Sequence, residues 1–272
     1  MHDRSPQRRR LRRVAALLAL LVVPAAALAE EFTFAVQPIL PPAETREAFE
    51  PLVKYLDRTI GDEHRIRLVT AQNFLTYWET MKQGEYDLVL DAAHFTDFRV
   101  ARMDYEPLAK VLDVVSYTLV TGPDTFILDP VELVAKPIAT ISSPSLGAVR
   151  LAQLFPNPLR QPIIVEAANS QEAVNRVLEG EAVAAVIPTP LVQNYRDLNV
   201  VLTTEQVPHI ALSAAPEVPE AARRRISQGL INAEQRPGGA AMLEAVNFPG
   251  FEPATPGLYA GYSDLLAGVW GY

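Results

Sequence analysis

The side chains able to do chemistry fall at the ends of short apolar runs. Asp91-Ala92-Ala93-His94-Phe95 follows Leu88-Val89-Leu90, a run suited to a buried strand. A histidine at such a strand end can donate to an anion, with a charge that depends on pH. Asp91 could orient His94, favour a cationic group, or cap a following helix. Ser142-Ser143-Pro144-Ser145-Leu146-Gly147 follows Ile138-Ala139-Thr140-Ile141. It offers three hydroxyls and unpaired amides at a helix start, the ingredients of an oxyanion site. Ordinary N-capping by Ser143 or Ser145 would use the same groups. Thr70, Asn169-Ser170 and Thr189 stand at equivalent places, and Phe95 lies beside His94. The candidate ligand-binding set is therefore Thr70, Asp91, His94, Phe95, Ser143, Ser145, Asn169, Ser170 and Thr189.

No catalytic residue and no metal ligand set is assigned. The chain has no Gly-x-Ser-x-Gly elbow, no His-Glu-x-x-His helix, no Walker-type loop and no cysteine. Nothing in the spacing of His94 and the serines sets up a nucleophile–base pair. His64 and His209 fall outside the expected cleft. Tyr77 and Trp78 sit at helical core positions, and Asp87 has a structural place at a strand start.

The elements that would hold these groups alternate strand and helix. Phe32–Val36, Ile66–Val69 and Leu88–Leu90 read as strands separated by helices over 44–60 and 74–82. That order predicts a parallel sheet with right-handed crossovers. Another short helix is expected over 98–103, and 106–121 reads as largely extended. The theme then repeats: strands over 138–141, 163–165 and 182–187 alternate with helices over 147–155 and 170–178, with Ser170 as N-cap. Gly84-Glu85 and Gly180-Glu181 close the helix before the last strand of each set. Crossings between the two halves are placed near 116–120 and 203–212, and a helix over 219–233 returns to the first half. Ligand loops belong at the carboxyl ends of such strands, near helix starts.

The formal charge is −8 over 272 residues. Arg4, Arg8, Arg9, Arg10, Arg12 and Arg13 precede an apolar run over 14–27 and then Ala27-Leu28-Ala29. That is the pattern of a secretory signal peptide, with cleavage expected after Ala29. The run is shorter than the roughly 20 residues of a membrane-spanning helix. Loss of those six arginines and Asp3 takes the charge from −8 to −13. So acidic a chain repels phosphate backbones, which argues against nucleic acid as a partner. Without cysteine it must rest on its core alone, and no lipid-anchored cysteine is possible.

Glu50-Pro51-Leu52-Val53-Lys54-Tyr55-Leu56, Met81-Lys82-Gln83-Gly84-Glu85-Tyr86-Asp87-Leu88 and Glu106-Pro107-Leu108-Ala109 carry a family likeness. So do Ser170–Val174 with Gly180-Glu181, and Gly250–Ala254 with Tyr259 and Tyr262. In this order the chain resembles the phosphate/phosphite/phosphonate solute-binding proteins of ABC transporters, the PhnD-like type II periplasmic binding proteins. The ligand loops differ: Asp91–Phe95 stands where the family often has Gly-Pro-x-Ser-Tyr, Pro144–Gly147 replaces a Ser-Thr-Ser-Gly-like turn, and Asn169-Ser170 replaces Ser-His. The resemblance implies an α/β, two-lobed periplasmic binding protein, each lobe a mostly parallel sheet flanked by helices, joined by a two-strand hinge. Residues 1–29 would be the leader, 30–115 and 206–272 the first lobe, and 116–205 the second. It further implies a monomer in the periplasm that takes up a small anion without a cofactor and presents it to an inner-membrane ABC permease. The alternative partner is a membrane sensor kinase.

Overall fold

Gly84 and Gly180 mark equivalent points in the chain. Each follows a helix with φ near +75°, at +72° and +76°, a conformation that costs other residues energy. Each leads into a strand whose first four residues are buried. The computed structural model of the chain describes residues 30–269 and 271–272. The expected leader, 1–29, and its cleavage site lie outside the described residues.

The first half runs β1 (Glu30–Val36), α1 (Pro42–Ile60), β2 (His64–Val69), α2 (Phe74–Lys82), β3 (Leu88–Asp91), α3 (Ala93–Met103) and β4 (Glu106–Val111). The short β5 (Val114–Val115) then leads out of it. The second half comprises β6 (Tyr117–Thr121), β7 (Pro137–Ile141), α4 (Leu146–Leu154), β8 (Ile163–Ala167), α5 (Ser170–Leu178), β9 (Ala184–Pro188), α6 (Thr189–Val192) and β10 (Asn199–Thr203). The chain returns through β11 (Val207–Pro208) to β12 (Ala211–Ala214), α7 (Glu220–Ile231), α8 (Gly239–Ala245), β13 (Phe251–Pro253) and α9 (Pro256–Tyr259).

Two sheets result, ordered β13-β4-β12-β3-β1-β2 and β10-β6-β9-β7-β8. In the first, β1 pairs parallel with β2 and β3; in the second, β7 pairs parallel with β8 and β9. These are the crossover-linked strands. The antiparallel neighbours are β12, β6, β10 and β13, supplied where the chain leaves one sheet and re-enters the other. Between the sheets, β5 and β11 pair antiparallel, Val207 opposite Val115. These two paired crossings are the hinge of a two-lobed body.

Local chemistry pins the sheet. Asp87 Oδ2 accepts from both Thr33 N and Thr33 Oγ1 at 2.7 Å, tying β1 to the start of β3. The apolar face of α1 buries Phe49, Leu52, Tyr55, Leu56 and Ile60. Separate apolar clusters cover the two faces of the smaller sheet, one around α5 and one around α4. Leu146 and Val149 of α4 belong instead to the large cluster that contains Phe74, Leu90 and Phe95. Burial of an aliphatic side chain is worth about 1.5–3 kcal/mol, so this contact holds the two halves together.

Two local readings are corrected by the structure. The segment 91–95 runs from the end of β3 straight into a helix. α3 begins at Ala93, earlier than the expected 98, and Thr96 N donates to Ala92 O at 3.0 Å. Two alanines with no competing side-chain hydrogen bond favour early helix. The cap of α5 is Asn169, not Ser170: Asn169 is extended and its Oδ1 accepts from Glu172 N at 2.8 Å. In the Pro- and Gly-rich tail, β13 joins the larger sheet as an edge strand, the place where its Pro253 is tolerated.

Candidate functional site

Three helices begin at the seam between the lobes, and their first turns are built alike. Asn73 Oδ1 accepts from Thr76 N, Ser145 Oγ from Ala148 N, and Asn169 Oδ1 from Glu172 N. Each cap satisfies the third amide of its helix and leaves the first two without a partner inside the helix. The first residues of these helices, Phe74, Leu146 and Ser170, all line one hollow. Each helix start contributes roughly half a positive charge.

The rest of the lining comes from strand ends. Gln37 and Ile39 follow β1, Thr140 and Ile141 end β7, Val186 lies in β9, and Tyr117 opens β6. Gln37 Oε1 accepts from Ala92 N at 3.1 Å, which leaves its amide NH₂ as the donor end. The ring of Tyr117 lies against the first turn of α4. A Cβ added at Gly147 would stand 3.1 Å from Tyr117 Cε1. Burial pushes the Tyr117 hydroxyl up to about 12, so it is a neutral donor throughout the physiological range. Among the described residues no Lys, Arg, His, Asp or Glu lines the hollow. Its volume is about 10 Å³, room for a single water; a larger solute needs the lobes to part. A broader groove of about 920 Å³ runs along the outer side of the same seam, from Asn73 past Ser142, Ser143 and Pro144 to Asp264–Val269.

Of the residues singled out in the sequence, Ser145 and Ser170 line the hollow. The hydroxyl of Ser145 is committed: it donates to Ile141 O at 2.9 Å while accepting from Ala148 N at 3.2 Å. Asn169 stands beside the hollow as the cap of α5. Ser143 is exposed in the outer groove.

The others sit elsewhere. Asp91 is fully enclosed, bonded to Arg99 Nε at 2.7 Å and Tyr77 OH at 2.5 Å. Burial works against charge on Arg99, but Asp91 and the nearby tyrosines outweigh it and hold the guanidinium charged. Asp91 is thus neither a ligand group nor a partner of His94, because Arg99 claims it. Phe95 is a core ring, packed with Phe74, Tyr77 and Trp78. Thr189 belongs to a hydroxyl cluster at the hinge, 2.8 Å from Ser116 Oγ and 2.9 Å from Thr118 Oγ1. Thr70 follows β2 outside the hollow, its hydroxyl buried without a hydrogen bond. His94 is fully buried and spans the seam, Nε2 lying 2.9 Å from Pro144 O. Burial drives its pKa down to about 4, only partly offset by that bond.

Gln37, Ile39, Tyr117 and Val186 carry no motif. The one local signal for Tyr117 is Gly147, where any Cβ would crowd its ring.

A family model for the ABC transporter, phosphonate, periplasmic substrate-binding protein matches residues 34–259. Among solved structures, PhnD1 from Prochlorococcus marinus in complex with methylphosphonate aligns with a TM-score of 0.74 at 11% identity, covering 89% of this chain and 98% of that one. The binding protein component of an ABC phosphonate transporter from Pseudomonas aeruginosa gives 0.72 at 12% identity, covering 88% and 86%. A Xanthomonas citri protein bound to ATP gives 0.71 at 15% identity, covering 88% and 97%. At these identities the likeness is one of fold. No curated protein matches the sequence.

Proposed function

The chain belongs to the periplasmic phosphonate-binding family of ABC-transporter proteins, and from that membership we propose that its hollow captures a small phosphonate- or phosphate-like anion. The family consists of substrate-binding transport proteins of the periplasm, which deliver a small molecule to an inner-membrane permease. The observation that carries the ligand class is the convergence of three capped helix starts, α2, α4 and α5, on one hollow with Thr140, Ser170 and Tyr117. Unpaired amides and hydroxyls at helix starts suit an oxyanion. The donors come from both lobes, Phe74 and Gln37 from one and Leu146, Gly147 and Ser170 from the other. A bound anion therefore favours an arrangement in which the lobes stand slightly further apart than in this hollow of about 10 Å³ while both sets of donors still reach it.

In this reading residues 30–115 with 206–272 form one lobe and 116–205 the other, and the protein works as a monomer. It is released by cleavage after Ala29 and binds its solute without transforming it. Ser145, Ser170 and Asn169 keep their places at the site, the last two through the start of α5. His94 acts at the seam and Thr189 at the hinge.

Isothermal titration of the exported chain with methylphosphonate, phosphite, phosphate and ATP tests the ligand class. Binding of at least one small phosphorus oxyanion at micromolar level, about −8 kcal/mol, is the expected result. Binding of ATP alone, or of none of the four, would overturn it.

A further inference from the structure

We propose that the open edge of β8, with the outer groove beside it, docks an extended segment of a partner protein that alternates basic and apolar residues and adds as a strand to the five-stranded sheet. The inference does not depend on which solute the hollow takes.

A sheet edge offers unpaired N–H and C=O groups, and folds blunt it with charge, proline, a bulge or shortness. Three of the four edges of the two large sheets carry such a device. β2 presents the exposed Arg65 and Arg67, β13 is three residues long and ends in Pro253, and β10 shifts register between Val200 and Leu202. β8 has one charged residue, Glu166, and neither proline nor bulge within it. It runs five residues in unbroken parallel register with β7, and among the described residues no strand pairs with its other side. Ile163 N donates at 2.9 Å to the carbonyl of Lys136, just before β7. Backbone groups alternate in direction along a strand, so Ile164 and Glu166 turn their N–H and C=O groups to the open side. The side chains there are uncovered: Ile163 is 57% exposed, Ile164 49%, and Leu159, in the loop before the strand, 92%.

Charge selects the occupant. Gln161 and Glu166 of this edge also line the outer groove, which continues past Ala148 and Ala152 of α4 to Asp264 in the other lobe. Glu166 and Asp264 are its charged lining residues, both acidic and both exposed. Val165 packs on the α5 side of the sheet, so Ile163 shares that face and Glu166 looks toward the groove. A strand with lysine or arginine on the groove face and apolar residues on the α5 face matches both. In strand addition the main chain supplies affinity and alternate side chains supply specificity. A second copy of the chain would bring its own Glu166 and its own net charge of −8 to the same edge, which opposes self-pairing.

The experiment is fluorescence anisotropy of the exported chain with a labelled acetyl-Val-Lys-Val-Lys-Val-Lys-Val-amide peptide at low ionic strength, beside the same peptide with glutamate for lysine. The lysine peptide should bind about fivefold or more tightly than the glutamate peptide, and added salt should weaken it. Ile164→Pro removes an outward N–H and leaves the bonds to β7 in place. It should weaken the lysine peptide about fivefold or more, with an unchanged melting temperature as the check on folding. Glu166→Lys, an exposed change that leaves the backbone alone, should turn the preference toward the glutamate peptide. No binding of the lysine peptide, equal binding of the two peptides, no change of preference in Glu166→Lys, or full binding by folded Ile164→Pro would each overturn the proposal. A dimer in sedimentation that Ile164→Pro abolishes would assign the edge to a second copy, and would overturn it too.

Discussion

His94 and Pro144 join the two lobes through one hydrogen bond. The 2.9 Å contact runs from His94 Nε2, in the first turn of α3, to the carbonyl oxygen of Pro144, in the loop before α4. A carbonyl only accepts, so Nε2 carries the proton and Nδ1 is bare. Nδ1 is buried without a partner. The imidazole is therefore held neutral by its surroundings, stacked on Phe95 at 4.1 Å.

That neutrality makes stability depend on pH. The His94 pKa falls from 6.5 to about 4 on burial. A depressed folded value means that the stability it contributes is fully present above 6.5 and is lost as pH falls toward 4. The loss is of order 3 kcal/mol. Urea midpoints of wild type and His94→Gln, measured at about pH 7 and about pH 4.5, should fall further in wild type. Equal falls in the two proteins would remove His94 as a source of the acid sensitivity.

A side chain at position 147 should push the Tyr117 ring aside by a few tenths of an ångström. An added Cβ would meet Tyr117 Cε1 and Cδ1 at 3.1 and 3.2 Å. Gly147→Ala is expected to weaken methylphosphonate binding by roughly fivefold or more, and by less in a Tyr117→Leu background, since neighbouring sites couple. Additive losses in the double variant would show that the ring and the glycine act separately.

Thr140→Val and Ser170→Ala each remove one hydroxyl from the hollow and should each weaken anion binding about tenfold, as hydrogen bonds to charged groups do. Ser143→Ala, on the exposed side of the seam, should change it little. A larger effect at Ser143 than at Ser170 would move the site into the outer groove.

Asp91→Asn should unfold the protein readily. It leaves the Arg99 guanidinium enclosed without its counter-charge, and Arg99 Nη1 already lacks a hydrogen bond. Removing one partner of a buried pair costs about 3–5 kcal/mol. Denaturant titration reads this directly; a loss below about 1 kcal/mol, the range of exposed pairs, would contradict the buried-pair assignment.

Intact mass of the exported protein should correspond to a chain beginning at Glu30, since cleavage is placed after Ala29. A retained N-terminus would show that the leader serves as an anchor.

Much of the fold was legible in order along the chain, because its signals are local. Apolar runs of strand length, amphipathic 44–60, and the glycines at 84 and 180 act within a few residues of where they stand. The family likeness rested on the same stretches. Ser145 and Ser170 were found because a helix start after a strand is a local feature. His94 and Asp91 looked equally suitable, since a polar residue at a strand end reads the same whether it faces a cleft or a core. Only Arg99, which lies on the next turns of α3 and folds back, decides that Asp91 is a core ion pair. Only the seam, set by Leu146 and Val149 packing against the opposite lobe, decides that His94 meets Pro144. Tyr117 and Thr140 come from two strands of one sheet and Gln37 from the loop after a strand of the other. Their meeting depends on the pairing of β5 with β11 and on how the two sheets face each other, and no stretch of sequence encodes that distance.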